Sequence, residues 1–351
     1  VAIWDYKRYG TSPADPVRQS DLATFGRCPQ LLLRRKNALL AAPTGEPRVH
    51  GIRISGTAAH HALKRALPYA VEGKPVNLVH VRAAFFNELD RACKAEGTTR
   101  EKLFWQRNTK PDDHYRIKIT ALTHFLMLAH ERIATVECVE TEFRSIIKHG
   151  NKNIHTLGTW DIVCRTHEGK LALVDYKTGI RRMSMFARTT GYQFGMYAQG
   201  MLEGVSSGGR RFGAWPDEIW MLMTQDFLPQ RKDSSRKVWE PEEASHFRCR
   251  RGETVRIRKG QQKGPGWYRA ERTAAELPAL AAGIWSMVAT VRAGQFHRVW
   301  NDDACPRCEV RGPCVQDAYG VADMSPTQKR HLEAALADIP LDELDVGFAD
   351  E

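Results

Sequence analysis

The segment LALVDYKTG, residues 171–179, sets an aspartate and a lysine two positions apart at the end of an apolar run. Residues two apart in a strand project from the same face. Asp175 and Lys177 therefore point together, Tyr176 points away, and the apolar residues up to Val174 anchor the strand in the core. A carboxylate at a strand end can hold a divalent cation. An ammonium beside it can orient a water or neutralise charge growing on a phosphate. Alone, an Asp-x-Lys pair reads as well as a solvated ion pair. The segment LGTWDIV, residues 157–163, adds Asp161 on the preceding strand, after Gly158, which permits close backbone approach. A hairpin between these strands brings Asp161 near Asp175. Two carboxylates at close range repel unless a cation sits between them, and carboxylate ligands suit Mg²⁺ or Mn²⁺.

Two helical stretches offer further polar groups. GTAAHHAL places His60 and His61 among small residues, and GYQFGMYAQ places Gln193 and Tyr197 four apart, on one helical face. Each reads blandly by itself, as a core histidine or an amphipathic stripe. Their order along the chain is more specific: Gly56-x-x-x-His60, Gly158-x-x-Asp161, Asp175-x-Lys177 ending in Thr-Gly, then Gln193-x-x-x-Tyr197. This ordered set resembles the RecB-like branch of the PD-(D/E)XK nuclease superfamily. The resemblance implies a metal-dependent DNA exonuclease acting on single strands or DNA ends. His60, Asp161 and Asp175 would be metal ligands, with the Tyr176 carbonyl as a further one. Lys177 would be the catalytic lysine, and Gln193 and Tyr197 would position DNA or the active site. Glu142 stands where such nucleases often carry an acid. Trp160 replaces the proline that usually precedes the first aspartate.

Eight cysteines are too few for a disulfide scaffold in a chain of this length. Cys305, Cys308 and Cys314 form a Cys-x2-Cys-x5-Cys group and need a fourth ligand, which Cys28 in RCPQ can supply. Four thiolates hold zinc or an iron–sulfur cluster. The split of one early and three late cysteines resembles the iron–sulfur nucleases of this branch, the AddB-type and CRISPR-associated exonucleases. That resemblance implies a [4Fe–4S] cluster stapling the first helix to the last segment; zinc is the alternative. Cys93, Cys138, Cys164 and Cys249 read as ordinary apolar or surface residues.

The net charge of +11 and pI of about 9.3 favour a polyanionic partner. Arg181, Arg182 and Arg188 follow the lysine strand, and RCRRGETVRIRKGQQK contributes Arg256 and Arg258 before Trp267. Cations with interleaved aromatics suit a channel for single-stranded nucleic acid. No GKS or GKT phosphate loop occurs, so coupling to unwinding would require a helicase or recombination partner. A non-catalytic nucleic-acid-binding subunit of a nuclease–helicase complex is the rival reading.

These motifs need a scaffold of both structure types. Hydrophobic residues make up 42% and charged residues 26% of the 351, ordinary for a globular chain. No apolar run reads as a membrane span and no export signal is visible, which favours a cytoplasmic setting. The first part reads as helices: residues 20–40, a segment from Ser55 ending before Pro68, one closing on Gly97, and one from about Tyr115 to Arg132. A meander of three short strands follows, then a helix through Gln193, a strand at EIWMLM and a long helix near residue 285. The expected fold is α/β (α+β mixed), a PD-(D/E)XK core with a central mixed sheet flanked by helices and a C-terminal iron–sulfur segment. The expected divisions are 1–135 (helical), 136–296 (nuclease core), 297–325 (cysteine segment) and 326–351 (helix and acidic tail).

Overall fold

The computed structural model describes residues 4–36, 49–74, 76, 78–105, 110–178, 191–227 and 266–299. The chain divides into two compact units. The larger comprises Asp5–Ala23 and Arg48–Gln295, and the smaller Val1–Trp4, Thr24–Pro47 and Phe296–Glu351.

In the larger unit the helical half carries α3 (Gly51–Val71), α4 (Leu78–Ala95) and α5 (Pro111–Leu128). Pro68 does not end α3 as the sequence suggested. It lies inside the last turn, where one missing N–H costs only a local bond, and the Pro68 carbonyl still accepts from Glu72 N at 3.1 Å. After α4, Gly97 takes the left-handed conformation, φ +66°, the backbone that favours glycine after a helix. The N-terminal helical stretch is two helices, α1 (Gln19–Arg27) and α2 (Pro29–Lys36), because Pro29 disfavours helical backbone at Cys28. α2 belongs to the smaller unit.

The strands are β1 (Val17–Arg18), β2 (Ile133–His149), β3 (Lys152–Thr166), β4 (Leu171–Lys177), β5 (Val205–Ser206), β6 (Glu218–Met223) and β7 (Trp267–Arg269). Their sheet order is β5-β2-β3-β4-β6-β7, with β1 parallel to β3 beside Thr156 and Leu157. β2, β3 and β4 form the antiparallel meander expected from the turns at Gly150 and Gly169 (φ +58° and +77°). β4 and β6 run parallel, joined across helix α6 (Tyr192–Glu203), and β7 closes antiparallel on β6. The mixed sheet flanked by helices is the fold class that the sequence implied.

Alternation along the strands sorts the core into two layers. Ala172, Val174, Tyr176 and Leu222 pack with Leu63, Phe85 and Phe125 of α3, α4 and α5. Leu171, Leu173, Met221 and Met223 pack with Phe194, Tyr197 and Met201 of α6. Helix α7 (Leu277–Arg292) turns Leu280, Ala281, Ile284, Met287, Val288 and Val291 inward at helical spacing. The sequence suggested no membrane span, yet the stretch Ala274–Arg292 is long and apolar enough to be one.

Phe143 locks the second layer. Its ring stacks on Trp160 at 4.4 Å between centroids, and a Cβ at Gly158 or Gly200 would overlap it. Gly158 therefore makes room for a ring, not for a close approach of backbone. Trp160 Nε1 donates to Tyr197 O at 3.0 Å, tying β3 to α6. Gly200→Ala is expected to destabilise the protein by about 1–3 kcal/mol through this overpacking. Adding Phe143→Leu should recover part of the loss. Urea denaturation of both variants measures it, and additive losses would refute the overlap.

Candidate active site

Four elements deliver polar groups to the end of β4. On β3, Ile162 and Cys164 lie in the α3–α5 layer while Trp160 lies in the other. On β2 the same phase slip falls between Val139 and Phe143. The slipped positions carry the two acids that face each other across the strands, Glu140 and Asp161. Glu140 holds φ +45°, the one described non-glycine residue with positive φ. That conformation costs on the order of 1–2 kcal/mol. It is held by Lys64 Nζ, which donates to the Glu140 carbonyl at 3.0 Å, and by a 2.6 Å bond between Glu140 Oε1 and His60 Nδ1.

Ligand atoms of His60, Glu140 and Asp161 all lie within 4.8 Å of one another. Asp161 Oδ2 accepts the backbone N–H of Tyr176 at 2.7 Å, which brings the Tyr176 main chain to the cluster. The Tyr176 ring turns to the other layer and meets the His60 ring edge-on at 4.9 Å. Asp175 is fully buried. Its Oδ1 accepts from Lys177 Nζ at 3.0 Å and from Gln193 Nε2. Its Oδ2 lies 2.8 Å from Lys177 Nζ without hydrogen-bond geometry and accepts no hydrogen bond among the described residues. Gln193 Nε2 also reaches Tyr197 Oη at 3.5 Å, one turn along α6. His60, Asp161, Asp175, Tyr176, Lys177, Gln193 and Tyr197 are thus brought together.

Other positions separate from them. Glu142 is exposed and lies 3.9 Å from Arg144; the acid at the cluster is Glu140, two residues earlier. Only its phase in the strand distinguishes the two, and the slip hid it. Trp267 lies on β7 in the layer opposite Asp175, with its ring against Phe125 and Trp220 and under the Arg132 guanidinium. Arg181, Arg182, Arg188, Arg256, Arg258, Cys305, Cys308, Cys314 and Cys249 lie outside the described residues. Cys28 carries a free, half-buried thiol between α1 and α2. Cys93 and Cys164 are buried in the core and Cys138 packs against it, and burial raises all three thiols above their usual range, as for inert cysteines.

The electrostatics show a deficit of positive charge. Burial, then the Asp175 charge, pushes the Asp161 carboxyl well above the usual carboxylate range. Burial works against the charged forms of His60 and Lys177. The Glu140 hydrogen bond and the Asp161 and Glu140 charges outweigh it for His60; the Asp175 and Asp161 charges outweigh it for Lys177, so both sit above their ordinary values. Burial and the same aspartates raise the Tyr197 phenol. Lys177 is therefore an ammonium and Tyr197 a proton donor. An imidazole and two carboxylates at ligand spacing, beside a buried carboxylate oxygen with a spare lone pair, fit a divalent cation.

A sequence profile of the PD-(D/E)XK nuclease superfamily matches residues 17–315. The chain belongs to the PD-(D/E)XK nuclease superfamily. The match takes in all the strands through β7 and every member of the cluster. No curated protein matches the chain. Members of a nuclease superfamily hydrolyse phosphodiester bonds, typically with a divalent metal, and the acidic cluster at the end of β4 fits that chemistry.

One more charge borders this nuclease site. Lys118 on α5 is buried, and its Nζ donates to Thr178 Oγ1 at 2.9 Å and to the Thr178 carbonyl at 3.4 Å, just past Lys177. No carboxylate pairs with it among the described residues, and burial lowers it to about 8. An unfolded lysine titrates near 10.4. Below pH 8 both states are charged and folding bears the full burial cost. Between about pH 8 and 10 the unfolded chain binds more protons, so stability rises with pH. The rise is expected to be about 2–3 kcal/mol. Lys118→Met should stabilise the protein at pH 7 by about 1–3 kcal/mol and flatten the profile across that window. Urea melts at pH 7 and pH 10 measure both, and a less stable variant at pH 7 would overturn this account.

Proposed function

We propose that this nuclease is a metal-dependent exonuclease of the RecB-like branch that degrades single-stranded DNA or DNA ends in recombination or repair. The observation that carries the proposal is the convergence of His60, Glu140 and Asp161 within ligand distance beside the Asp175–Lys177 pair. Mg²⁺ and Mn²⁺ both suit the carboxylates, and the imidazole tilts the set toward Mn²⁺. When bound, the cation would polarise the phosphoryl oxygens and make water a better nucleophile.

The chain's own residues would do the rest. His60, Glu140, Asp161 and Asp175 with the Tyr176 main chain would hold the cation. Lys177, kept charged by Asp175, would neutralise charge developing on the phosphate and orient the water. Gln193 would fix Asp175, and the Tyr197 phenol would hold the Gln193 amide. Arg181, Arg182, Arg188, Arg256 and Arg258 would contact the strand, a part that the packed Trp267 is not placed to share. The preference for exonuclease action rests on the family resemblance, since no residue of the cluster reads bases.

Cys28, Cys305, Cys308 and Cys314 would hold a [4Fe–4S] cluster in the smaller unit, with zinc as the alternative. Support comes from Gln30 N, which donates to His297 O at 3.3 Å. The chain beside Cys28 thus adjoins the segment that leads to Cys305. The role would be structural, closing a long loop of the unfolded chain. A thiolate-held cluster fits a reducing cytoplasm. Coupling to unwinding would fall to a separate helicase or recombination partner.

With Mn²⁺, the protein should release mononucleotides from 5′- or 3′-labelled single strands, and EDTA should abolish release. Lys177→Met should lower kcat on the order of 10²–10³-fold, and Glu140→Gln should raise the metal requirement about 10–100-fold. Binding without cleavage by the unaltered protein would make it a nucleic-acid-binding subunit instead. Iron and acid-labile sulfide in anaerobically purified protein separate the cluster from zinc.

A further inference from the structure

Many cations of the larger unit are matched by carboxylates, such as Arg53 by Glu96 at 2.9 Å, Arg65 by Glu88 at 2.6 Å and Arg165 by Glu137 at 2.8 Å. The far end of the β2–β3 hairpin departs from this. From Phe143 to Trp160 the chain contains no aspartate or glutamate, and α7 contains none either. At the hairpin end His149 and Lys152 are register partners, so their side chains leave the sheet on one side. Both meet Trp285 of α7. The His149 ring stacks on the indole at 6.3 Å, and Lys152 Nζ stands 4.9 Å from its centroid. The Arg292 guanidinium stands 5.4 Å from the same ring. Arg292 Nε donates to Tyr9 O at 2.8 Å, and its buried Nη2 has no acceptor.

Lys152 and Arg292 thus share one aromatic ring with an imidazole, and none of the three has a carboxylate partner among the described residues. Cation–π attraction offsets part of the repulsion between like charges and leaves their net charge uncancelled. A polyanion would cancel it, and cations grouped on an aromatic platform match what a nucleic-acid strand offers, phosphates with stackable bases. We propose that the hairpin end and α7 form a second nucleic-acid contact, remote from the acid cluster. His149 lies nine residues from Glu140 along β2, and Lys152 nine residues from Asp161 along β3. At about 3.3 Å per residue the two places are about 30 Å apart. A strand long enough to bridge them gains a contact that a short one lacks. The direction of that strand rests on the nuclease reading above; the contact itself does not.

The test uses the full chain in EDTA, so that binding is read without cleavage. Fluorescence anisotropy compares a single strand of about twenty nucleotides with a tetranucleotide. Lys152→Glu should weaken the long strand about tenfold and flatten its salt dependence, with a much smaller effect on the tetranucleotide. Lys148→Glu removes the same charge from the neighbouring residue, which alternation turns to the opposite side. It should shift the affinity by less than about twofold, and Lys152→Ala should fall between. Melting temperatures confirm that each variant is folded. Equal effects of Lys152→Glu and Lys148→Glu, or none from either, would overturn the proposal. A Lys152→Glu deficit in a protein that never cleaves would sink the nuclease reading alone. Intact cleavage with unchanged binding would sink this contact alone.

Discussion

Crowding of three carboxylates in a water-poor place governs this structure. Asp175 and Asp161 are buried, and Glu140 faces Asp161 across the strands. Ions of one sign in such a setting cost on the order of several kcal/mol each unless they are paired and hydrogen-bonded. The chain meets that demand from several directions at once. Lys177 comes from the same strand as Asp175, Gln193 from α6, His60 from α3, and the Tyr176 N–H from the backbone between the acids. No single element could supply all four. The meander, the parallel crossover and the α3 layer must therefore all form before the acids can be tolerated. Even then the balance is short, because Asp161 still favours its proton.

The surrounding core holds this arrangement to small tolerances. Trp160, where the family's usual proline would leave no donor, bonds the carbonyl of Tyr197 and stacks on Phe143. α6 is thereby fixed against β3 by the residue next to Asp161, and Gln193 inherits that position. On the other layer Lys64 fixes the left-handed backbone of Glu140 one turn after His60 on the same helix. Each polar group at the cluster has a neighbour in sequence whose task is packing. Lys118 is the exception: a buried ammonium bonded to Thr178, with no carboxylate partner among the described residues, which keeps the end of β4 under an unbalanced charge.

How far this could be read from sequence follows from the range of each signal. Period-two alternation and turn glycines in β2, β3 and β4 are local, so the meander was legible. The shared face of Asp175 and Lys177 was legible for the same reason. Gln193 and Tyr197 were legible as a four-residue spacing within one helix. The choice of Glu140 over Glu142 was not, because it depends on a strand phase that slips at Glu140 itself and that no local pattern marks. The job of Gly158 was misread, since its neighbour Phe143 lies across the hairpin. Pro68 was read as a stop, although a proline in a final turn forfeits too little to end a long packed helix. The smooth apolar stripe of α7 concealed Trp285, whose partners come from the distant hairpin.

The middle of the β2–β3 hairpin and its turn end carry opposite character, and on the proposed reading this asymmetry would give a polyanion a direction along the sheet. The carboxylates gathered at Glu140, Asp161 and Asp175 disfavour a phosphate, whereas the cations around Trp285, which have no carboxylate partner among the described residues, attract it. With only its own charges, the acid cluster disfavours the ligand that a nuclease must admit. A bound divalent cation reverses the local sign, because it neutralises the carboxylates and offers positive charge to the phosphate. The same ion that would activate water would then open the site to its substrate, while the basic end would bind with or without it. On the proposed reading, affinity and catalysis would fall to separate places along one hairpin. Charge changes at either place can alter one without disturbing the packing that supports the other.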